Sequence, residues 1–304
     1  MRSLWRFFAL AGTVATMDAT ALAAQDIRAL PVKPGSVRFL VLGDAGTGDR
    51  EQMEVANQMY RYGRRFPFTF AIMLGDNLYG SERPQDFERK FMRPYKALLD
   101  ADVEFHAALG NHDDPNQRYF KPFNLGGARY RTFKKGNVRF FVIDSNYLDP
   151  AQMKWLEQEL SQSGSDWKIA YFHHPLYTTA RRGPEVELRA MLEPLFVKHG
   201  VDVVFTGHEH IYERLNPQKD IYHFTVGGAA KLRRGDTRSD PSIAARFDRD
   251  RSFLLAEVAG DSLYFQAVTR TGAVIDKGVF ARRSVRFATA GTSTTARPAA
   301  QKNP

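Results

Sequence analysis

Five short stretches carry the side chains best suited to chemistry: Gly43-Asp44-Ala45-Gly46, Gly75-Asp76-Asn77-Leu78-Tyr79, Gly110-Asn111-His112-Asp113, His173-His174-Pro175 and Gly207-His208-Glu209-His210. Together Asp44, Asp76, Tyr79, Asn111, His173, His208 and His210 offer carboxylate, phenol, amide oxygen and imidazole. Such a mixed oxygen and nitrogen set suits ions of the Fe, Zn or Mn kind. A calcium site would use more carboxylates and carbonyls and no imidazole. The set also exceeds the needs of one tetrahedral ion. Two ions sharing a bridging carboxylate would use all of it; such pairs sit roughly 3.5–4 Å apart and clamp the attacking and leaving oxygens of an in-line displacement. Taken singly, each stretch also reads as a turn built by Gly, Asn and Asp. The inference rests on their conjunction.

What positions them is a run of strands. Each stretch follows a short apolar segment, at 37–42, 68–74, 103–109, 167–172 and 201–205, and a further one lies at 138–143. In an open α/β sheet, ligands bind outside the carboxyl ends of the strands, so five strand ends offer their loops to one edge. Helical patterns lie between. Leu188, Met191, Leu192, Leu195 and Phe196 recur at helical spacing before Gly200, placed as a C-cap, and Pro194 inside that pattern allows a kink or an early stop. Met153, Leu156 and Leu160 mark a helix after Pro150, and 51–62 and 86–99 read as two more. This alternation predicts an α/β architecture with a mostly parallel sheet covered by helices. Segments 221–226, 252–258, 262–268 and 273–279 then read as strands joined by short turns, an antiparallel portion forming a second sheet. The charged stretch 229–251 reads as a mobile loop, and His106, His199 and His223 as structural.

The chain has 304 residues, 43% of them hydrophobic, enough for one large core. It has no cysteine, which excludes disulfides, thiolate metal sites and a cysteine nucleophile. Residues 1–24 read as a signal peptide: Arg2 and Arg6, a short apolar core over 7–14, and Ala21-Leu22-Ala23 as the cleavage site. The expectation is an exported protein, periplasmic or secreted, with one domain over 25–281 and a disordered tail over 282–304 rich in Ala, Thr, Ser and Pro. No second apolar run resembles a membrane span. The formal net charge of +9 favours anionic partners. The basic residues are scattered, without a Lys/Arg run interleaved with aromatics, so a small phosphorylated substrate is expected and nucleic acid is not.

The order GDxG, GDNxY, GNHD, a strand ending in His, then GHxH resembles the calcineurin-like metallophosphoesterase superfamily, over about residues 36–280. Tyr79 makes it similar to the small purple acid phosphatases. The resemblance implies a four-layer αββα sandwich of two mixed sheets with the site at one edge. It implies that Asp44, Asp76, Tyr79 and His210 hold Fe(III). Asp76 would bridge to a divalent Fe, Zn or Mn completed by Asn111, His173 and His208, and His112 would protonate the leaving oxygen. The implied activity is an acid phosphatase cleaving phosphomonoesters, with phosphodiester or nucleotide cleavage, or metal or anion binding without turnover, as alternatives. The pattern departs at Arg182, where the mammalian-type enzymes carry a second histidine. Arginine stays charged, so Arg182, with His174 beside the site, is expected to bind substrate instead. The short 144–149 connection implies an open site.

Overall fold

The computed structural model describes residues 30–164 and 166–282; the predicted signal 1–24 and all of the predicted tail beyond Arg282 lie outside them. Among the described residues thirteen strands form two sheets: β1 Val37–Leu42, β2 Phe70–Leu74, β3 Glu104–Ala108, β4 Arg131–Lys135, β5 Val138–Val142, β6 Trp167–Phe172, β7 Val203–Thr206, β8 Tyr212–Leu215, β9 Tyr222–Val226, β10 Ile243–Phe247, β11 Ser252–Ala259, β12 Ser262–Thr269 and β13 Val274–Ala281. The first sheet runs β13-β12-β11-β1-β2-β3 and the second β10-β8-β9-β7-β6-β5-β4. β1, β2 and β3 are mutually parallel, as are β5, β6, β7 and β9, while the remaining neighbours pair antiparallel.

The sheets face each other across an aromatic layer. Phe39 of β1 meets Phe140 of β5 edge-on at 5.2 Å and Phe205 of β7 at 6.4 Å. Alternate residues of β5 serve opposite faces, as strand geometry demands: Phe140 and Val142 join the inter-sheet core, while Phe141 joins a second cluster on the far side. That cluster is covered by the helices Pro150–Ser161 and Val186–His199, through Leu156, Leu160, Leu188, Leu192 and Phe196. Each such side chain contributes about 1.5–3 kcal/mol on burial. The outer face of the first sheet is covered by helix Arg50–Gly63, whose Tyr62 meets Phe253 of β11. The result is the expected αββα sandwich.

Local chemistry sets the helix ends. Asp49 and Asp149 are N-caps, each accepting from the backbone N–H three residues on, and Pro150 occupies the first turn. Gly200 ends the third long helix with φ 70°. Pro194 does not stop that helix early, since it runs on to His199.

Four expectations need correction. The strands β11 to β13 extend the first sheet, through antiparallel pairing of β11 with β1, while β9 lies parallel to β7 in the second. The 86–99 helix is broken into Pro84–Phe87, a π-helical turn Glu88–Met92 and Lys96–Leu99. The join from 226 to 252 is no short turn. Nor is 229–251 a free loop: it carries β10, which pairs with β8, and it is bound to the segment before Arg182 by Arg181 N–H donating to Asp236 O and Arg238 N–H donating to Thr179 O.

Candidate metal centre

The parallel strands of both sheets end at one edge, and their loops interlock through backbone hydrogen bonds. Asp44 N–H donates to Gly75 O (3.1 Å), Ala45 N–H to Asp76 O (3.2 Å) and Gly207 N–H to His173 O (2.9 Å). A side chain on Gly207 would bring its Cβ within 2.6 Å of Asp44 Oδ2, and one on Gly75 within 2.7 Å of His173 Nδ1. Both positions therefore exclude a side chain so that the loops can close on one another. Asp44, Asp76 and His208 adopt φ of 57°, 50° and 68°. That left-handed conformation is strained in non-glycine residues, at about 1 kcal/mol or more each, and such strain concentrates at functional sites.

All seven predicted donors converge. Tyr79 O–H donates to Asp44 Oδ1 at 3.0 Å and lies 3.2 Å from His210 Nε2, which is 3.3 Å from Asp44 Oδ1. On the other side Asn111 Oδ1 lies 3.0 Å from His173 Nε2 and 2.9 Å from His208 Nδ1, and the two ring nitrogens are 3.1 Å apart. Asp76 Oδ1 lies 3.3 Å from His173 Nε2. Asp44, Asp76 and His173 in turn present atoms within 4.8 Å of one another, which joins the two triads.

These distances fit metal ions. Bonds of roughly 2.0–2.2 Å at right angles place neighbouring ligand atoms about 3 Å apart, which is the edge length of both triads. The electronic state fits too. Burial, foremost, favours the neutral form of two of the imidazoles, lowering His208 to about 2 and His210 to about 4. His173 Nδ1 donates to Leu74 O at 2.8 Å, which turns Nε2 towards Asn111 and His208. Burial pushes Asp44 up to about 7, and it pushes the Tyr79 phenol far above its ordinary value, with the charges of Asp44 and Asp76 adding to it. A cation is what would reverse both shifts.

His112 is exposed at the rim, its ring centroid 5.0 Å from that of Tyr79, and its backbone N–H donates to Asp76 Oδ1. His174 stands beside His208, with ring centroids 4.5 Å apart, and its Nδ1 bonds the Ser145 hydroxyl at 2.9 Å; burial lowers it to about 4. Arg182 touches His208 Nε2 through Nη1, on the outer side of the cluster. Beside Asn111 and His174 opens a groove of about 830 Å³. Arg129 on its wall is neutralised by Asp144 and Asp149, each at 2.8 Å. The structural histidines lie elsewhere: His106 stacks on Phe133 at 4.2 Å, His223 meets Tyr177 and His199 approaches Glu157.

Several contributors have no prediction behind them. Asp113, expected only as part of a turn, accepts five N–H bonds: from the backbone of Asn77, Leu78 and Gly110, and from the Asn77 and Gln117 side chains. Glu209, between the two histidines of the last motif, is wholly buried, and neither carboxylate oxygen has a hydrogen-bond partner. Arg233 approaches it at 3.6 Å, and Lys231 Nζ stands 4.5 Å over the Tyr79 ring. Asp113 and Glu209 left a trace in the sequence, one as part of a turn and the other as an acidic residue enclosed by candidate ligands.

The chain belongs to the calcineurin-like phosphoesterase family, whose sequence model matches residues 37–212. It is 28% identical over 240 residues to purple acid phosphatase 17 of Arabidopsis thaliana, covering 66% of this chain and 71% of that one. Among solved structures, its fold resembles a purple acid phosphatase from yellow lupin (Lupinus luteus) seeds, with TM-score 0.69, 17% identity and coverage of 90% of this chain and 58% of that one. It also resembles GAP50, described as the anchor in the inner membrane complex of Plasmodium, with TM-score 0.71, 19% identity and coverage of 82% and 89%. Family and homology support a dimetal phosphoesterase with hydrolase activity. Among the described residues no helix is long and apolar enough to cross a membrane.

Proposed function

We propose that the protein is an acid phosphatase that cleaves phosphomonoesters at a mixed Fe(III) and divalent Fe, Zn or Mn centre. The observation that carries this is the pair of donor triads, each with edges near 3 Å, joined through Asp76. Asp44, Tyr79 and His210 would hold the ferric ion, Asn111, His173 and His208 the divalent one, and Asp76 would bridge. The chemistry such a pair supplies is Lewis acidity toward water and toward the phosphoryl oxygens.

The rest falls to the chain's own groups. The buried backbone of the strand ends fixes the donors with little freedom, so the site is organised before substrate arrives. His112, exposed and next to Tyr79, is placed at the rim to hand a proton to the leaving oxygen. Arg182 binds substrate as a permanent cation, and His174, held by Ser145, borders the groove that receives the alcohol portion.

The test is a visible spectrum and paired rates on the iron- and zinc-loaded protein. A purple tyrosinate–iron band and faster turnover of p-nitrophenyl phosphate than of bis(p-nitrophenyl) phosphate are expected. A colourless active protein removes Fe(III), a faster diester rate removes the monoesterase preference, and no hydrolysis of either removes the enzyme.

We further propose export through cleavage of residues 1–24, leaving the 25–281 domain and the 282–304 tail. Arg2, Arg6, the apolar 7–14 segment and Ala21-Leu22-Ala23 support it. The N-terminal residue of protein recovered outside the cytoplasm checks it, and an intact Met1 there contradicts it.

A further inference from the structure

The basic rim on segments 179–182 and 231–238 differs from the Arg129 groove in one respect: its two guanidinium groups face their shared carboxylate without a hydrogen bond to it, and Arg182 spends only Nη1, on His208 Nε2. Arg129 on the groove side spends its fork on Asp144 and Asp149 at 2.8 Å each. On the rim, Arg182 Nε stands 4.0 Å from Glu209 Oε1 and Arg233 Nη1 stands 3.6 Å from Glu209 Oε2, beyond hydrogen-bond reach. The Arg182 side chain is 40% exposed and that of Arg233 34%, while Glu209 between them is fully buried with neither oxygen hydrogen-bonded.

The rim is a built wall. Segment 179–182 and segment 231–238 are tied by the Ala180–Thr237 bridge and by Arg238 Nη2 donating to Arg181 O. Arg233 N–H donates to His210 O, which fixes its backbone beside the last motif of the metal centre. Arg181, Arg182, Lys231, Arg233, Arg234 and Arg238 lie on these two segments against a single acid, Asp236.

We propose that Arg182 and Arg233, positioned by Glu209, form a subsite for a second anionic group, so that the substrate class is a small phosphomonoester carrying a further phosphate or comparable anion. This rests on the phosphoesterase function proposed above. Arginine forks suit phosphate oxygens bidentately, and a buried carboxylate between two of them aims both without saturating either. Glu209 is a positioning residue; it touches no substrate.

The test compares propane-1,3-diol bisphosphate with propyl phosphate, which share the scissile group and differ in the second anion. The bisphosphate is expected to show a kcat/KM about tenfold or more above the monophosphate, with the advantage shrinking as salt rises. Arg182→Ala combined with Arg233→Ala brings the ratio towards one. Glu209→Gln raises KM for the bisphosphate with kcat held, a split that general loosening of the site would not produce. A ratio near one in the wild-type protein, or one unchanged in the double variant, overturns the subsite. If neither ester turns over, the phosphatase assignment fails by itself. Calorimetric binding of propane-1,3-bisphosphonate against propylphosphonate then reads the subsite directly, and equal affinities overturn it.

Discussion

Asp113 and Glu209 are two carboxylates beside the candidate metal centre, and they are treated in opposite ways. Burial pushes both up, Asp113 to about 8 and Glu209 to about 7. Against that pull Asp113 has the N–H groups of Gly110, Leu78 and Asn77, whereas Glu209 has only the charges of Arg182 and Arg233. The first carboxylate is consumed in building loops, since it ties the Gly75 and Gly110 turns to each other. The second builds nothing locally and orients cations. Satisfied buried groups specify structure, while an unsatisfied one at a site is a candidate for function.

The largest effect expected from this contrast is on stability. Asp113→Ala removes the shared acceptor of five part-buried N–H bonds, three of them from backbone, and should cost about 3–5 kcal/mol, read as a lower urea midpoint at constant slope. A loss below about 1 kcal/mol would erase the distinction.

Next comes His112→Ala, expected to lower kcat on alkyl phosphates by about 10²–10³-fold while sparing substrates with good leaving groups such as p-nitrophenol. Equal losses on both would remove its proton-donor role.

A smaller, pH-dependent effect comes from buried histidines that stay neutral. Burial lowers His223 to about 3 and His106 to about 4, against an ordinary 6.5. Below about pH 6.5 the unfolded chain takes up protons that the folded one refuses. Their stability contribution is thus full above that pH and falls progressively towards pH 4. Urea midpoints at pH 7, 5.5 and 4.5 check this, and His223→Gln should flatten the decline.

The smallest effect is Glu209→Gln, which should change stability by less than about 1 kcal/mol, because it removes a charge that no N–H donor satisfies. A loss as large as that of Asp113→Ala would make Glu209 structural after all.

Much of this was legible in the chain because β1, β2, β6 and β7 are almost wholly buried and read as mainly apolar runs, with Arg38, Lys168 and Thr206 as the polar exceptions, leading into Gly or His. Six of the seven donors follow those ends, Asn111 follows β3, and none needed long-range information to be noticed. What stayed hidden depends on pairing. β4, with the sequence RTFKK, is a charged edge strand defined by its partner β5. β11 joins the first sheet by placing Val258 opposite Val37, a contact between chain ends that no local pattern declares. Glu209 could be seen but not interpreted, since its meaning comes from Arg182 and Arg233, which reach it from separate loops.

The central claim is that residues from five strand ends share two cations, and metal stoichiometry tests it most directly. Elemental analysis after loading and desalting should give two equivalents per chain in the wild-type protein, about one in Asn111→Ala or His210→Ala, and fewer still in Asp76→Ala. One equivalent or none in the wild-type protein, or two retained in Asp76→Ala, would contradict the account.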